Sequence, residues 1–113
     1  MNSAKDGIWI IDANGRTSYA NDRMGEILGV SPADLRGGLS FDYIFPEDVA
    51  RAQSMFESKK QGNANAFHFR LRRKDGSAIW VDVQGTPMFD ADGVFLGIVG
   101  TFTEYPCSAK VGP

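Results

Sequence analysis

The sequence predicts an α+β fold, a five-stranded antiparallel sheet with helices covering one face. Three observations predict it. Apolar and polar residues alternate with a period of two through much of the second half of the chain. Asn-Gly and Asp-Gly pairs punctuate the strand-like runs. The stretch between changes to the three-to-four-residue spacing of helices.

The elements follow in order. Residues 7–11 form a first strand, and Asp12-Ala13-Asn14-Gly15 reads as a hairpin turn because Asn14 and Gly15 both tolerate positive φ. Residues 17–20 return. Asn21 or Asp22 then caps a helix with Met24, Ile27 and Leu28 on one face, stopped by Gly29. Ser31-Pro32-Ala33-Asp34 opens another helical turn, with Ser31 as cap and Pro32 at the first helical position. Gly37-Gly38 ends it, and residues 41–45 are a short apolar piece of undefined form. Pro46-Glu47-Asp48 starts the longest helix. Val49, Ala52 and Phe56 share its apolar face, Lys59 and Lys60 suit its negative end, and Gly62 closes it.

Three strands complete the chain. Phe67, Phe69 and Leu71 alternate with His68, Arg70 and Arg72, and Ile79, Val81 and Val83 with Trp80, Asp82 and Gln84. The last strand, residues 95–102, is a mostly apolar run containing Gly97 and Gly100, as expected where other groups approach closely. Turns at Asp75-Gly76 and Asp92-Gly93 make these strands an antiparallel meander whose apolar face needs a cover.

Composition limits the function. A chain of 113 residues makes one domain, and a net charge of −2 gives no basic excess for nucleic acid. Arg70, Arg72, Arg73 and Lys74 cluster at a strand end and read as a solvated turn. No apolar run reaches the length of a membrane span, no leader is recognised, and the single Cys107 cannot form an internal disulfide; a cytoplasmic location is the expectation. Catalysis is not expected of the domain itself. Its serines lack nucleophile-elbow glycines, Glu47-Asp48 is explained by a helix start, and Asp90 and Asp92 lack the later ligands of a calcium loop. No metal site is expected.

Several short motifs, in order and suitably spaced, resemble those of the PAS family of sensory domains, the sensory box of bacterial signal transduction. They are Asp6-Gly7-Ile8 leading to Ile11-Asp12-Ala13-Asn14-Gly15, then Tyr19-Ala20-Asn21, Ile27-Leu28-Gly29-Val30 and Phe45-Pro46-Glu47-Asp48. Arg73-Lys74-Asp75-Gly76-Ser77 with Trp80-Val81 and the stretch from Asp92-Gly93 to Gly97 complete the set. The resemblance implies residues 6–104 as the domain, with residues 1–5 as an N-terminal flank and 105–113 as a C-terminal tail. It implies strand order 2-1-5-4-3, a ligand space between helices and sheet, and coupling to an effector domain such as a histidine kinase of a two-component system. Any kinase or cyclase activity would then belong to that effector. Asp-Ile-Thr, the motif that joins many such domains to an outgoing helix, is replaced by Thr101-Phe102-Thr103, and Tyr105-Pro106 follows shortly; a fragment of a larger receptor is the favoured expectation.

No cofactor is expected. The long helix carries no histidine for haem, and His68 alternates onto the outer sheet face. The family's light-sensing flavin group, LOV, needs a cysteine among the helices and amides on three strands. Here Cys107 lies outside the matched stretch, and Leu71, Val81 and Val99 stand at the amide places, which would leave flavin polar atoms unpaired at about 1–3 kcal/mol each. The expected lining is apolar: Trp9, Ile11, Phe69, Leu71, Val81 and Val99 from the sheet, and Met24, Leu28 and Phe56 from the helices. It serves either as a filled core or as a pocket for a small hydrophobic metabolite, with Tyr43, Gln84 or Thr101 as candidate polar groups. Ile8, Ile10, Trp80, Leu96, Ile98 and Phe102 are expected on the outer face, where they suit a homodimer interface. A structural homodimerisation domain with a filled core is the alternative reading.

Overall fold

The computed structural model describes residues 6–104; the flank and tail expected at residues 1–5 and 105–113 lie outside the described residues. The strands are β1 (Gly7–Asp12), β2 (Thr17–Ala20), β3 (Ala66–Arg72), β4 (Ala78–Phe89) and β5 (Phe95–Glu104). They form one antiparallel sheet in the order β2-β1-β5-β4-β3. Helices α1 (Asp22–Leu28), α2 (Pro32–Leu35) and α3 (Val49–Lys60) lie between β2 and β3 in sequence. Residues 41–45, left undefined by the sequence, are covered mostly by a 3-10 turn at Ser40–Tyr43. A second 3-10 turn, Pro46–Asp48, precedes α3, so the long helix begins at Val49 rather than at Pro46.

The three hairpins share one form. The backbone N–H before each loop donates to the carbonyl after it: Asp12 to Arg16 at 2.8 Å, Arg73 to Ser77 at 2.8 Å and Asp90 to Val94 at 2.9 Å. Each loop ends in a left-handed glycine, Gly15, Gly76 or Gly93, with φ of 81°, 92° and 83°. Among the described residues only glycines take positive φ, so Asn14 does not adopt the left-handed form expected of it. The loops are three-residue turns in which one glycine suffices. Asp90 Oδ1 accepts from the N–H groups of Asp92 and Val94 at 2.8 and 3.0 Å, so the turn itself occupies that carboxylate.

Asn21, rather than Asp22, caps α1. Its Oδ1 accepts from Met24 N–H and also from Ile8 N–H, both at 2.9 Å, so one amide starts the helix and fixes it to β1. Ser31 caps α2 by accepting from Asp34 N–H at 3.2 Å. Strand β4 runs beyond its pairing with β3, and Pro87 stands in that unpaired length, where a missing N–H costs no ladder bond.

One expectation is corrected in β5. Ile98 and Phe102 face the helices, and Val99 faces outward. The register sets Trp9 opposite Gly100, Ile11 opposite Ile98 and Gly7 opposite Phe102, and directly opposed residues share a face. Phe95-Leu96 and Ile98-Val99 are apolar pairs, so alternation alone cannot choose between their members. An irregularity between Met88 and Phe89, opposite Phe95, sets the choice. A one-residue slip exchanges the faces of a whole strand.

Candidate functional site

The helix-covered face of the sheet divides into two parts. Under α1 and α2 it is solid. Met24, Leu28 and Val81 are completely buried, Ile27 and Leu35 nearly so, and Gly7 lets α1 approach so closely that a Cβ there would lie 2.8 Å from Met24 Sδ.

Under α3 the face borders a partly open cavity of about 120 Å³. Its floor lacks side chains. Gly85 on β4 and Gly100 on β5 stand opposite one another, and both face the helix. Around them rise Trp9, Ile11, Ile98 and Phe102 from the sheet, with Phe67, Phe69, Leu71 and Val83 beside them; Ala52, Met55 and Phe56 of α3 and Phe41 and Ile44 of the preceding segment close the space. Trp9 is held in place from both sides. Its Nε1 donates to the buried Thr17 hydroxyl at 2.8 Å, and its ring meets Tyr43 edge-on at 6.1 Å and Phe102 at 5.7 Å. Burial, and then the Asp42 and Asp34 carboxylates, push the Tyr43 hydroxyl pKa above its ordinary value.

One charged side chain lines this space: Lys59, in the last turn of α3 and 4% exposed. A Cβ on Gly85 would lie 3.1 Å from its Cε and 3.5 Å from its Nζ, so the side chain reaches across to the glycine floor. Nζ donates to the Asn65 carbonyl at 3.0 Å and sits 5.5 Å from the centre of the Phe67 ring. The helix C-terminus also favours a cation there. Desolvation by burial nevertheless lowers the ammonium pKa below the usual lysine range.

Arginines of β3 tie down the segment that roofs the cavity. Arg70 donates to Asp48 through Nε at 2.9 Å and to Glu47 through a terminal nitrogen at 3.2 Å, and it stacks 4.3 Å from the centre of the Phe45 ring. Its guanidinium pKa is raised, first by the hydrogen bond to Asp48. Arg72 donates to the Asp42 carbonyl at 2.8 Å. The expectation of a merely solvated basic turn is therefore corrected for these two residues.

Of the residues expected to line a ligand space, Trp9, Ile11, Phe56, Phe69 and Leu71 come together on the cavity wall. Met24, Leu28 and Val81 belong to the solid part instead, and Val99 lies on the opposite face. Neither Gln84 nor Thr101 supplies a polar group inside. Gln84 Nε2 donates to the Ala64 carbonyl, and the Thr101 hydroxyl lies 3.5 Å from the Gln84 carbonyl on the outer side. Sequence reasoning missed Lys59, although it falls three residues beyond Phe56 and seven beyond Ala52, on the same helix face. His68 stands on the outer face with Nε2 2.6 Å from Asp82 Oδ1. Among the described residues no group of acidic, histidine or cysteine side chains is arranged to hold a metal ion, and no helix is long and apolar enough to cross a membrane.

The sheet order, the helical cover and the space between them define a sensory-domain fold. The family described as PAS fold matches residues 1–104, and the chain belongs to it. Among curated relatives, the C4-dicarboxylate transport sensor protein DctS of Rhodobacter capsulatus is 35% identical over 98 residues, covering 82% of this chain and 15% of that protein. Sporulation kinase C of Bacillus subtilis is 22% identical over 104 residues, covering 92% of this chain and 24% of that protein. The chain thus spans a small part of either relative. Among solved structures, the PAS domain of a Colwellia psychrerythraea protein matches with a TM-score of 0.81 at 20% identity, covering 88% of this chain and 86% of that one. A sensory box histidine kinase/response regulator from Burkholderia thailandensis matches with a TM-score of 0.75 at 19% identity, covering 96% and 82%. At those identities the structural likeness concerns the fold.

Proposed function

We propose that this PAS domain is the ligand-sensing module of a larger signalling protein and takes up a small apolar molecule in the cavity under α3. The observation that carries the reading is the apolar space under α3, bordered by Trp9, Ile98 and Phe102 of the sheet and by Ala52, Met55 and Phe56 of the helix. A core meant to be filled would place side chains there, since interiors pack with few voids larger than a water molecule. The space is near the size of an engineered apolar cavity of about 150 Å³ that admits benzene, so the ligand is small. The name of the Rhodobacter relative concerns a C4-dicarboxylate; such a dianion does not suit a space whose accessible wall is apolar.

A role in assembly accompanies this reading. On the outer face Ile8, Ile10, Tyr19 and Val99 form an apolar patch, with Tyr19 43% exposed and Trp80 beyond it 40% exposed. That patch supports a homodimer through which ligand state reaches an effector domain, of histidine kinase type by analogy with the relatives. Native mass spectrometry tests both parts. The expected result is a dimer carrying an added mass that is absent from the cavity-filled variant Ala52→Phe, with Ile10→Glu converting the dimer to monomer. A polypeptide without added mass in both the parent and Ala52→Phe contradicts ligand uptake, and a monomeric parent contradicts the dimer.

A further inference from the structure

The accessible wall of the cavity under α3 is apolar throughout. Trp9, Ser40 and Lys59 border it and carry polar side-chain atoms, yet none presents one to the space. The Trp9 indole N–H donates to the Thr17 hydroxyl at 2.8 Å. The Lys59 ammonium turns to the Asn65 carbonyl at 3.0 Å, while its stem lies against Gly85. The backbone groups of β4 and β5 behind the wall pair with one another across the sheet. A hydroxyl, carbonyl or carboxylate brought inside loses its water and gains no partner. What the wall does offer is aromatic. Among the described residues six rings border the space: Trp9, Phe41, Phe56, Phe67, Phe69 and Phe102. They meet one another tilted or edge-on, Trp9 and Phe102 at 5.7 Å and 53°, Phe41 and Phe56 at 6.1 Å and 73°, Phe67 and Phe69 at 6.2 Å and 88°.

We infer that the ligand is a single-ring aromatic hydrocarbon, held by contacts with these rings and without any hydrogen bond. The inference rests on the ligand-sensing reading and names the chemistry of the ligand. Polarity narrows the choice first, because every polar group near the wall already has its partner within the protein. Size comes next. At about 120 Å³ the space is somewhat smaller than the engineered cavity of about 150 Å³ that admits benzene, so it takes one ring and not two. Shape then separates aromatic from aliphatic hydrocarbons. Aromatic rings carry a negative face and a positive edge, and tilted or edge-on neighbours expose both to a molecule placed among them. A flat ring joins that arrangement as one more member, and such contacts are worth more than the area they bury. An aliphatic ring of equal volume gains the area alone.

The test titrates benzene, cyclopentane and pyridine into the chain and follows the methyl groups of Ile98 and Leu71 by NMR. Cyclopentane has nearly the volume of benzene and no π face. Pyridine, at a pH where it is uncharged, keeps the ring and adds one hydrogen-bond acceptor. Benzene is expected to bind, with NOEs from its protons to the Ile98 methyls. It should bind at least as tightly as cyclopentane, although water expels the aliphatic ring more strongly, and at least about tenfold more tightly than pyridine. Tighter binding of cyclopentane overturns the aromatic assignment, and pyridine binding as tightly as benzene overturns the exclusion of polar groups; either result leaves the cavity reading standing. Failure of all three probes to bind overturns the cavity reading and the inference with it.

Discussion

The two parts of the covered sheet face are built from the same strands and differ in what stands on them. Under α1 and α2, large aliphatic side chains meet a helix that a glycine on β1 allows to approach, and the result is solid packing around Met24, Leu28 and Val81. Under α3 two glycines, Gly85 and Gly100, stand opposite one another in the sheet, and an apolar space remains among Trp9, Ile98, Phe102 and Phe56. Glycine lets another group approach in both parts, Met24 at Gly7, the Lys59 stem at Gly85 and the Phe102 ring at Gly100, and the space under α3 is what the surrounding apolar side chains leave unfilled. The first part supplies stability, and the second is the candidate site.

Substitutions can break that contrast. Leu28→Ala, in the solid part, should cost about 3 kcal/mol, because a fully buried leucine leaves a cavity its neighbours cannot refill; urea denaturation measures it, and a loss below about 1 kcal/mol would mean that this part is not tightly packed. Gly100→Ala should cost less, about 1–2 kcal/mol, since its Cβ would meet Phe102 Cε1 at 2.7 Å and the ring can turn into the adjoining space. Lys59→Met should gain up to about 1 kcal/mol, as removal of a buried cation without a counter-ion relieves desolvation; a marked drop in Tm would instead give Lys59 a structural role. Arg70→Gln should be the mildest, a drop in Tm near the limit of measurement, because its partners are partly exposed. That drop should shrink further in high salt, and a large salt-independent drop would show that the roof over the cavity depends on this contact.

Much of the fold is legible in the sequence because its signals are local. Asn21, Ser31 and the loop glycines act within a few residues of themselves, and β3 and the first part of β4 alternate without ambiguity. Strand β5 is different. Both members of Ile98-Val99 are apolar, and the face each takes is decided by pairing with β1 and by the irregularity opposite Phe95, neither of which is local. The site shares that difficulty. Trp9, Phe56 and Leu71 are recognisable as inward-facing, but which inward residues border a gap depends on how β1, β4, β5 and α3, distant in sequence, pack against one another. Lys59 reads as a helix-end cation, and only its place on the Ala52–Phe56 face points inside.

The central claim is that one part of the covered face is hollow and apolar and the other solid. Xenon-pressurised crystals test it most directly, because xenon occupies dry apolar cavities. The account predicts a xenon atom between Trp9, Ile98 and the Gly85–Gly100 floor, and none beside Met24, Leu28 and Val81. An empty α3 part, or xenon bound beside Leu28 instead, would contradict it.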